Sequence, residues 1–254
     1  MIEKTEQASP CSWENESLSQ TRERLRRKWG DYPLTILIIN PINLILVRKI
    51  AKTPITPNQL TLISFVITMA ASGCFISTNH IIQITGGILL LLGYLIDCLD
   101  GDLARLKGLK SPLGAMLDPI MDRCGEMVII CGIALGGWRA TSSTLWLVGG
   151  MLLLGVCQLY FYMTDAMLNI FKKETGLLNK ISRKTLMGSP MRFGAIEPFI
   201  WGQAALACAG IPYWGVPVFG AMFAVFCSIQ FYSLVKITRT NKTEQNDNFE
   251  FHVY

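Results

Sequence analysis

Histidine is almost missing from this chain: His80 and His252 are its two copies, and neither lies near the acidic residues described below. A histidine-held zinc or a Ser-His-Asp triad therefore has no material to be built from. Charge is scarce too, at 16% of residues against 51% hydrophobic, with a mean hydropathy of +0.38. A length of 254 residues would suit one or two soluble domains, but this balance fits a multi-pass membrane protein better. The eight cysteines (11, 74, 98, 124, 131, 157, 208, 227) contain no CxxC pair and sit mostly in apolar runs. They read as small buried hydrophobes in a reducing compartment. No internal repeat or low-complexity tract is visible. No secretory leader is expected, because residues 1–30 are polar and end in the basic stretch Arg22 to Lys28. The sequons at Asn15 and Asn241 then carry no weight, since both termini are expected in the cytosol.

What is present is a series of apolar runs. A bilayer crossing takes roughly 20 residues. Six stretches qualify, at about 57–78, 81–106, 112–138, 144–166, 194–210 and 214–236, although the fifth is short and the second contains acids. They predict an all-α integral membrane fold of six transmembrane helices. Ahead of them, Pro33 to Val47 is apolar but broken at Asn40-Pro41 and flanked by Arg48, Lys49 and Lys52. That pattern suits an N-terminal interfacial amphipathic helix with its basic edge on phospholipid headgroups. The chain thus divides into a polar cytosolic segment (1–32), a membrane domain (33–237) and a tail (238–254) rich in Asn, Thr and Glu. The tail is expected to be disordered.

Charge orients the helices. With a cytosolic N-terminus the outer loops are about 79–80, 139–143 and 211–213, and of the 23 Lys and Arg only Arg139 falls outside. The positive-inside rule then places both termini in the cytosol, for a multi-pass protein of the cell inner membrane. The net charge of +5 reads as topology, not as a nucleic-acid surface.

The informative segment runs from Asp97 to Asp122. On a helix Asp97, Asp100, Gly101 and Ala104 share about a third of the circumference, while Gly114, Asp118 and Asp122 form an i, i+4 stripe. The first set closes the second span, the other opens the third, and the short loop from Leu106 to Leu113 joins them. Two antiparallel helices can therefore aim four carboxylates into one space near the cytosolic face. Unpaired, each would cost several kcal/mol in a bilayer. Arg105 and Arg123 are too few to neutralise four, so the acids are protonated or hold metal. All-oxygen ligands favour a hard cation, Mg2+ or Mn2+. A pair of such ions suits phosphoryl transfer. Gly101, Ala104 and Gly114 would let a bulky ligand approach the backbone, although each is singly as well explained by helix packing.

The string DCLDGDLARLKGLKSPLGAMLDPIMD resembles, at all eight defining positions, the signature of the CDP-alcohol phosphotransferase (phosphatidyltransferase) family. The six-span plan and the interfacial helix are similar to that family as well, over about residues 33–237. The segment Thr56-Pro57-Asn58-Gln59-Leu60-Thr61 resembles the one that opens the first span in many members. The resemblance implies that Asp97, Asp100, Asp118 and Asp122 hold two divalent ions. Asp122 would also be the general base that deprotonates the acceptor hydroxyl. It further implies that Gly101, Ala104, Arg105 and Gly114 line a CDP pocket, that members form homodimers, and that the site opens to the cytosol. Asn58 is expected either at the diphosphate or as a cap of the first span.

Other polar residues are candidates for the acceptor pocket. Glu126 continues the stripe one turn beyond Asp122, or pairs with Arg123. Glu197 and Arg192 stand near the cytosolic start of the fifth span, and Arg192 would serve an acceptor phosphate or anchor the loop. The expected partners are a CDP-alcohol, most simply CDP-diacylglycerol, a hydroxyl acceptor, and membrane lipids. A CDP-choline/ethanolamine-type or inositol-phosphate-type reaction of the same family remains open, with the DRxxE run from Asp122 to Glu126 similar to members handling inositol-type alcohols. A cation-coupled transporter would also carry intramembrane acids, but would be expected to show duplicated halves.

Overall fold

The structure is a computed structural model, and it describes residues 16–25, 34–109, 111–173 and 196–250. Arg192 lies outside the described residues. Every regular element among them is helical: α1 (Leu18–Leu25), a π-helical turn (Thr35–Ile39), α2 (Asn40–Ala51), α3 (Pro57–Phe75), α4 (His80–Lys107), α5 (Pro112–Thr141), α6 (Leu145–Lys173), α7 (Ile196–Cys208), a 3-10 turn (Pro212–Trp214) and α8 (Gly215–Glu250).

Four helical segments are long and apolar enough to cross a bilayer: Pro57–Phe75, His80–Lys107, Leu145–Asp165 and Pro212–Tyr232. These make the chain an integral membrane protein, and they correspond to four of the six expected crossings. The remaining two are helices as well. However, α5 carries Asp118, Asp122, Arg123, Glu126 and Arg139, and α7 has just 13 residues. Helix α8 continues to Glu250 and so runs into the polar tail that begins at residue 238. Its polar residues include no glycine or proline to stop it.

Local chemistry fixes the helix ends around the acids. Thr56 starts α3 through a capping box with Gln59, and Pro57 occupies the first turn. Such a cap contributes about 1 kcal/mol. Ser111 starts α5 by accepting from the Gly114 N–H at 3.0 Å. Gly108 ends α4 in the left-handed conformation, φ 67°, where a side chain would be strained. Lys107, in the last turn of α4, donates from Nζ to the carbonyls of Thr53 at 2.7 Å and Ile55 at 2.9 Å. This ties the linker before α3 to the end of α4.

The helix order in space is not the order in sequence. Consecutive α4 and α5 scarcely touch, whereas α3 packs along both of them. Close approach of α3 and α5 depends on Gly132 and Gly136. A Cβ at Gly136 would collide with the Phe75 carbonyl oxygen, and one at Gly132 with Ser72. At the same seam Ser72 Oγ donates to the Val128 carbonyl at 2.6 Å. On its other face the acidic turn of α4 buries Leu99, Leu103 and Leu106 against Val47 and Ala51 of α2 and Leu60 of α3. The larger core gathers α5, α6, α7 and α8 around Ile130, Ile133, Phe199, Phe219 and Phe223. At the end away from the acids, Trp146 meets Tyr213 and Trp214 edge-on.

Candidate active site

The acids converge. Carboxylate oxygens of Asp97, Asp100 and Asp118 lie within 4.8 Å of one another, and Asp122 meets Asp97 at hydrogen-bonding distance. Asp100 is buried, Asp97 and Asp122 are half-buried, and Asp118 is exposed, so the cluster is open on the α5 side. It occupies the gap between α4 and α5, with α3 forming the back wall. From that wall the Thr61 hydroxyl donates to Asp100 Oδ2 at 2.5 Å.

The two neighbouring cations are each bonded to an acid outside the four. Arg105 binds Asp102 at 2.6 Å, and Arg123 binds Glu126 at 2.7 Å. The Arg123 guanidinium also lies 3.2 Å above the Phe161 ring of α6, where the π face attracts a cation. Three carboxylates sharing so small a volume repel one another strongly unless a cation stands among them. The donor set is all oxygen and hard, and its separations let one ion touch all three. These residues fit a divalent metal of the Mg2+ or Mn2+ kind.

The small residues meet different neighbours. Above Gly101 the nearest atoms to an added Cβ are those of the Arg105 guanidinium, at 3.6 to 3.9 Å, which is ordinary van der Waals contact. At Gly114 it would sit 2.9 Å from Asn58 Oδ1 and 3.1 Å from Ser111 Oγ. Gly114 thus admits the Asn58 amide to the start of α5. Asn58 is not the cap of α3, because Thr56 holds that role, so its side chain is left facing the gap. Ala104 is half-buried beside these residues.

Of the acceptor-pocket candidates, Glu126 is 9% exposed and held by Arg123. Glu197 has a clasping role. Its Oε1 accepts the Thr35 N–H at 2.5 Å and the Thr35 hydroxyl at 3.0 Å, while the Tyr94 hydroxyl bonds Thr35 Oγ1 at 2.7 Å. Glu197 so fastens the turn before α2 to α4 and α7. Two side chains that touch this cluster or its neighbours carry no role in the sequence reading: Thr61 and Asp102. Asp102 had a signal in its i, i+3 spacing to Arg105. Thr61 had none beyond its place one turn after Asn58.

A profile of the CDP-alcohol phosphatidyltransferase family matches residues 54–213. Over 101 residues the chain is 46% identical to the archaetidylinositol phosphate synthase of Pyrococcus horikoshii, covering 39% of this chain and 52% of that protein. Over 87 residues it is 34% identical to the phosphatidylinositol phosphate synthase of Corynebacterium glutamicum, covering 34% and 37% respectively. The chain thus matches about half the length, or less, of these curated relatives. The fold is similar to that of the Mycobacterium tuberculosis phosphatidylinositol phosphate synthase in its apo form, with a TM-score of 0.52, 17% identity, and coverage of 75% of this chain and 94% of that one. The same enzyme with CDP-DAG bound gives a TM-score of 0.51 at 17% identity, covering 76% and 92%.

Proposed function

The chain belongs to the CDP-alcohol phosphatidyltransferase family, and on that premise we propose that it transfers a phosphatidyl group from CDP-diacylglycerol to the hydroxyl of an inositol phosphate, releasing CMP. The observation that carries the reaction type is the convergence of Asp97, Asp100 and Asp118, with Asp122 alongside, in a gap bordered by small residues. The names of the relatives support the inositol phosphate acceptor, as does the DRxxE run at Asp122.

Asp97, Asp100, Asp118 and Asp122 would hold two divalent ions, and such ions would supply charge neutralisation at the diphosphate. Asp122, nearest the open side after Asp118, takes the proton of the acceptor hydroxyl as its oxygen attacks the phosphorus that bears the lipid. Gly101 and Ala104 leave room for the cytidine, and Gly114 lets Asn58 approach the diphosphate. Arg105, held across Gly101 by Asp102, offers the diphosphate a guanidinium.

The same reading includes six crossings, with α5 and α7 as the third and fifth, and a cytosolic site in the cell inner membrane. The bias of Lys and Arg to one side supports that orientation, and the aromatic cluster of Trp146, Tyr213 and Trp214 suits a membrane interface at the opposite end. Exposed Leu37, Ile42 and Ile45 beside Arg48 and Lys49 support an interfacial role for α2. A homodimer is part of the proposal.

The test is CMP release by purified protein with Mn2+ or Mg2+ and CDP-diacylglycerol, against a panel of inositol phosphate, inositol, glycerol phosphate and serine. CDP-choline with diacylglycerol is a further arm. Release confined to inositol phosphate is expected. Release with another acceptor refutes the acceptor assignment, and metal-independent release refutes the reaction type.

A further inference from the structure

We infer that Thr61, on α3, is a positioning residue for the metal site: its hydroxyl fixes the Asp100 carboxylate in the orientation in which it binds a divalent cation. This rests on the metal-dependent reading above. Thr61 is 7% exposed and Asp100 is 5% exposed, so neither side chain has solvent as an alternative partner. Thr61 carries one hydroxyl hydrogen and faces two acceptors, the Pro57 carbonyl at 3.2 Å and Asp100 Oδ2 at 2.5 Å. The nearer, charged acceptor forms the stronger bond. Asp100 Oδ2 is thereby held, and the carboxylate is not free to turn about its terminal torsion.

The contact spans 39 residues of sequence and ties the back wall of the gap to a ligand on α4. Its geometry is set at three points. The capping box at Thr56 fixes where α3 begins. Lys107 holds the Thr53 and Ile55 carbonyls and so fixes the approach of the linker to α4. Leu60, the neighbour of Thr61, is packed against Leu99 and Leu103 on the buried face of α4. A hydroxyl placed this firmly does for a carboxylate ligand what outer hydrogen bonds generally do for metal ligands, and loss of such a bond weakens metal affinity by about 10- to 100-fold.

The experiment is a titration of detergent-purified full chain with Mn2+, following the free ion by electron paramagnetic resonance. Thr61→Val keeps the shape and removes the hydroxyl, and is expected to weaken Mn2+ binding by about 10- to 100-fold. Thr61→Ser keeps the hydroxyl without the methyl, and is expected within about threefold of the unmodified chain on the same argument. Thr61→Ala is measured beside Thr61→Val, so that the hydroxyl-free state is read from whichever protein stays monodisperse. Unchanged Mn2+ affinity in the hydroxyl-free protein overturns the inference, as does a Thr61→Ser protein as weak as Thr61→Val. Failure of the unmodified chain to bind Mn2+ at all overturns instead the metal reading of the four aspartates.

Discussion

Replacing Asp102 separates the placement of Arg105 from its presence. The Arg105–Asp102 bond is 2.6 Å long, with side chains 27% and 10% exposed, so solvent screens it little on the aspartate side. Bonds to charged groups in such settings contribute about 1.5 to 3 kcal/mol, and a neutral acceptor contributes about half as much. Asp102→Ala therefore releases the guanidinium at a cost of about 2 kcal/mol, and Asp102→Asn at about 1 kcal/mol. If that orientation is expressed in binding the diphosphate, KM for CDP-diacylglycerol rises by at most about 30-fold for the alanine and about fivefold for the asparagine. kcat should change less than about threefold, since the reacting atoms are untouched. The assay is CMP release at varied CDP-diacylglycerol and saturating acceptor. KM within twofold of the unmodified enzyme for both variants would refute the argument, and so would a fall in kcat at constant KM.

Three further outcomes are expected. Asp122→Asn preserves shape and removes the base, so turnover should fall by about 10²- to 10⁴-fold while CDP binding, measured by calorimetry, is largely kept; near-normal turnover would reject the assignment. Asp97→Asn should abolish metal-dependent CMP release and weaken Mn2+ binding in the same titration, and retained affinity would remove Asp97 from the ligand set. Gly136→Ala places a methyl against the Phe75 carbonyl oxygen, which as backbone cannot swing aside. Thermal unfolding in detergent should shift down by several degrees, corresponding to about 1 to 3 kcal/mol of overpacking. An unchanged midpoint would mean that α3 and α5 are not so close.

Much of the site is legible along the chain because its members are near neighbours on helices. Asp97 and Asp100 are one turn apart, as are Asp118 and Asp122, and a run of apolar residues on either side makes four acids there costly unless they serve a ligand. The pairing of Arg123 with Glu126 is readable in the same way, from i, i+3 spacing. Asn58 is less so: Thr, Pro, Asn and Gln in succession offer more than one cap, and the bond from Gln59 to Thr56 decides it. Polarity beyond residue 238 does not by itself end a helix, which needs only the absence of a breaker to continue, and α8 runs to Glu250. Glu197 gave no sign of Thr35, 162 residues away.

The sequence by itself determined the helices, the side chains available for chemistry and the cation class they suit, since hydropathy, spacing and donor type are local properties. Tertiary structure alone decided that α3 stands between α4 and α5 and supplies the wall that faces the acids. Which helices meet depends on close approach at Gly132 and Gly136 and on buried hydrogen bonds such as Thr61 to Asp100. Those contacts join residues far apart in the chain, and no local pattern specifies their partners.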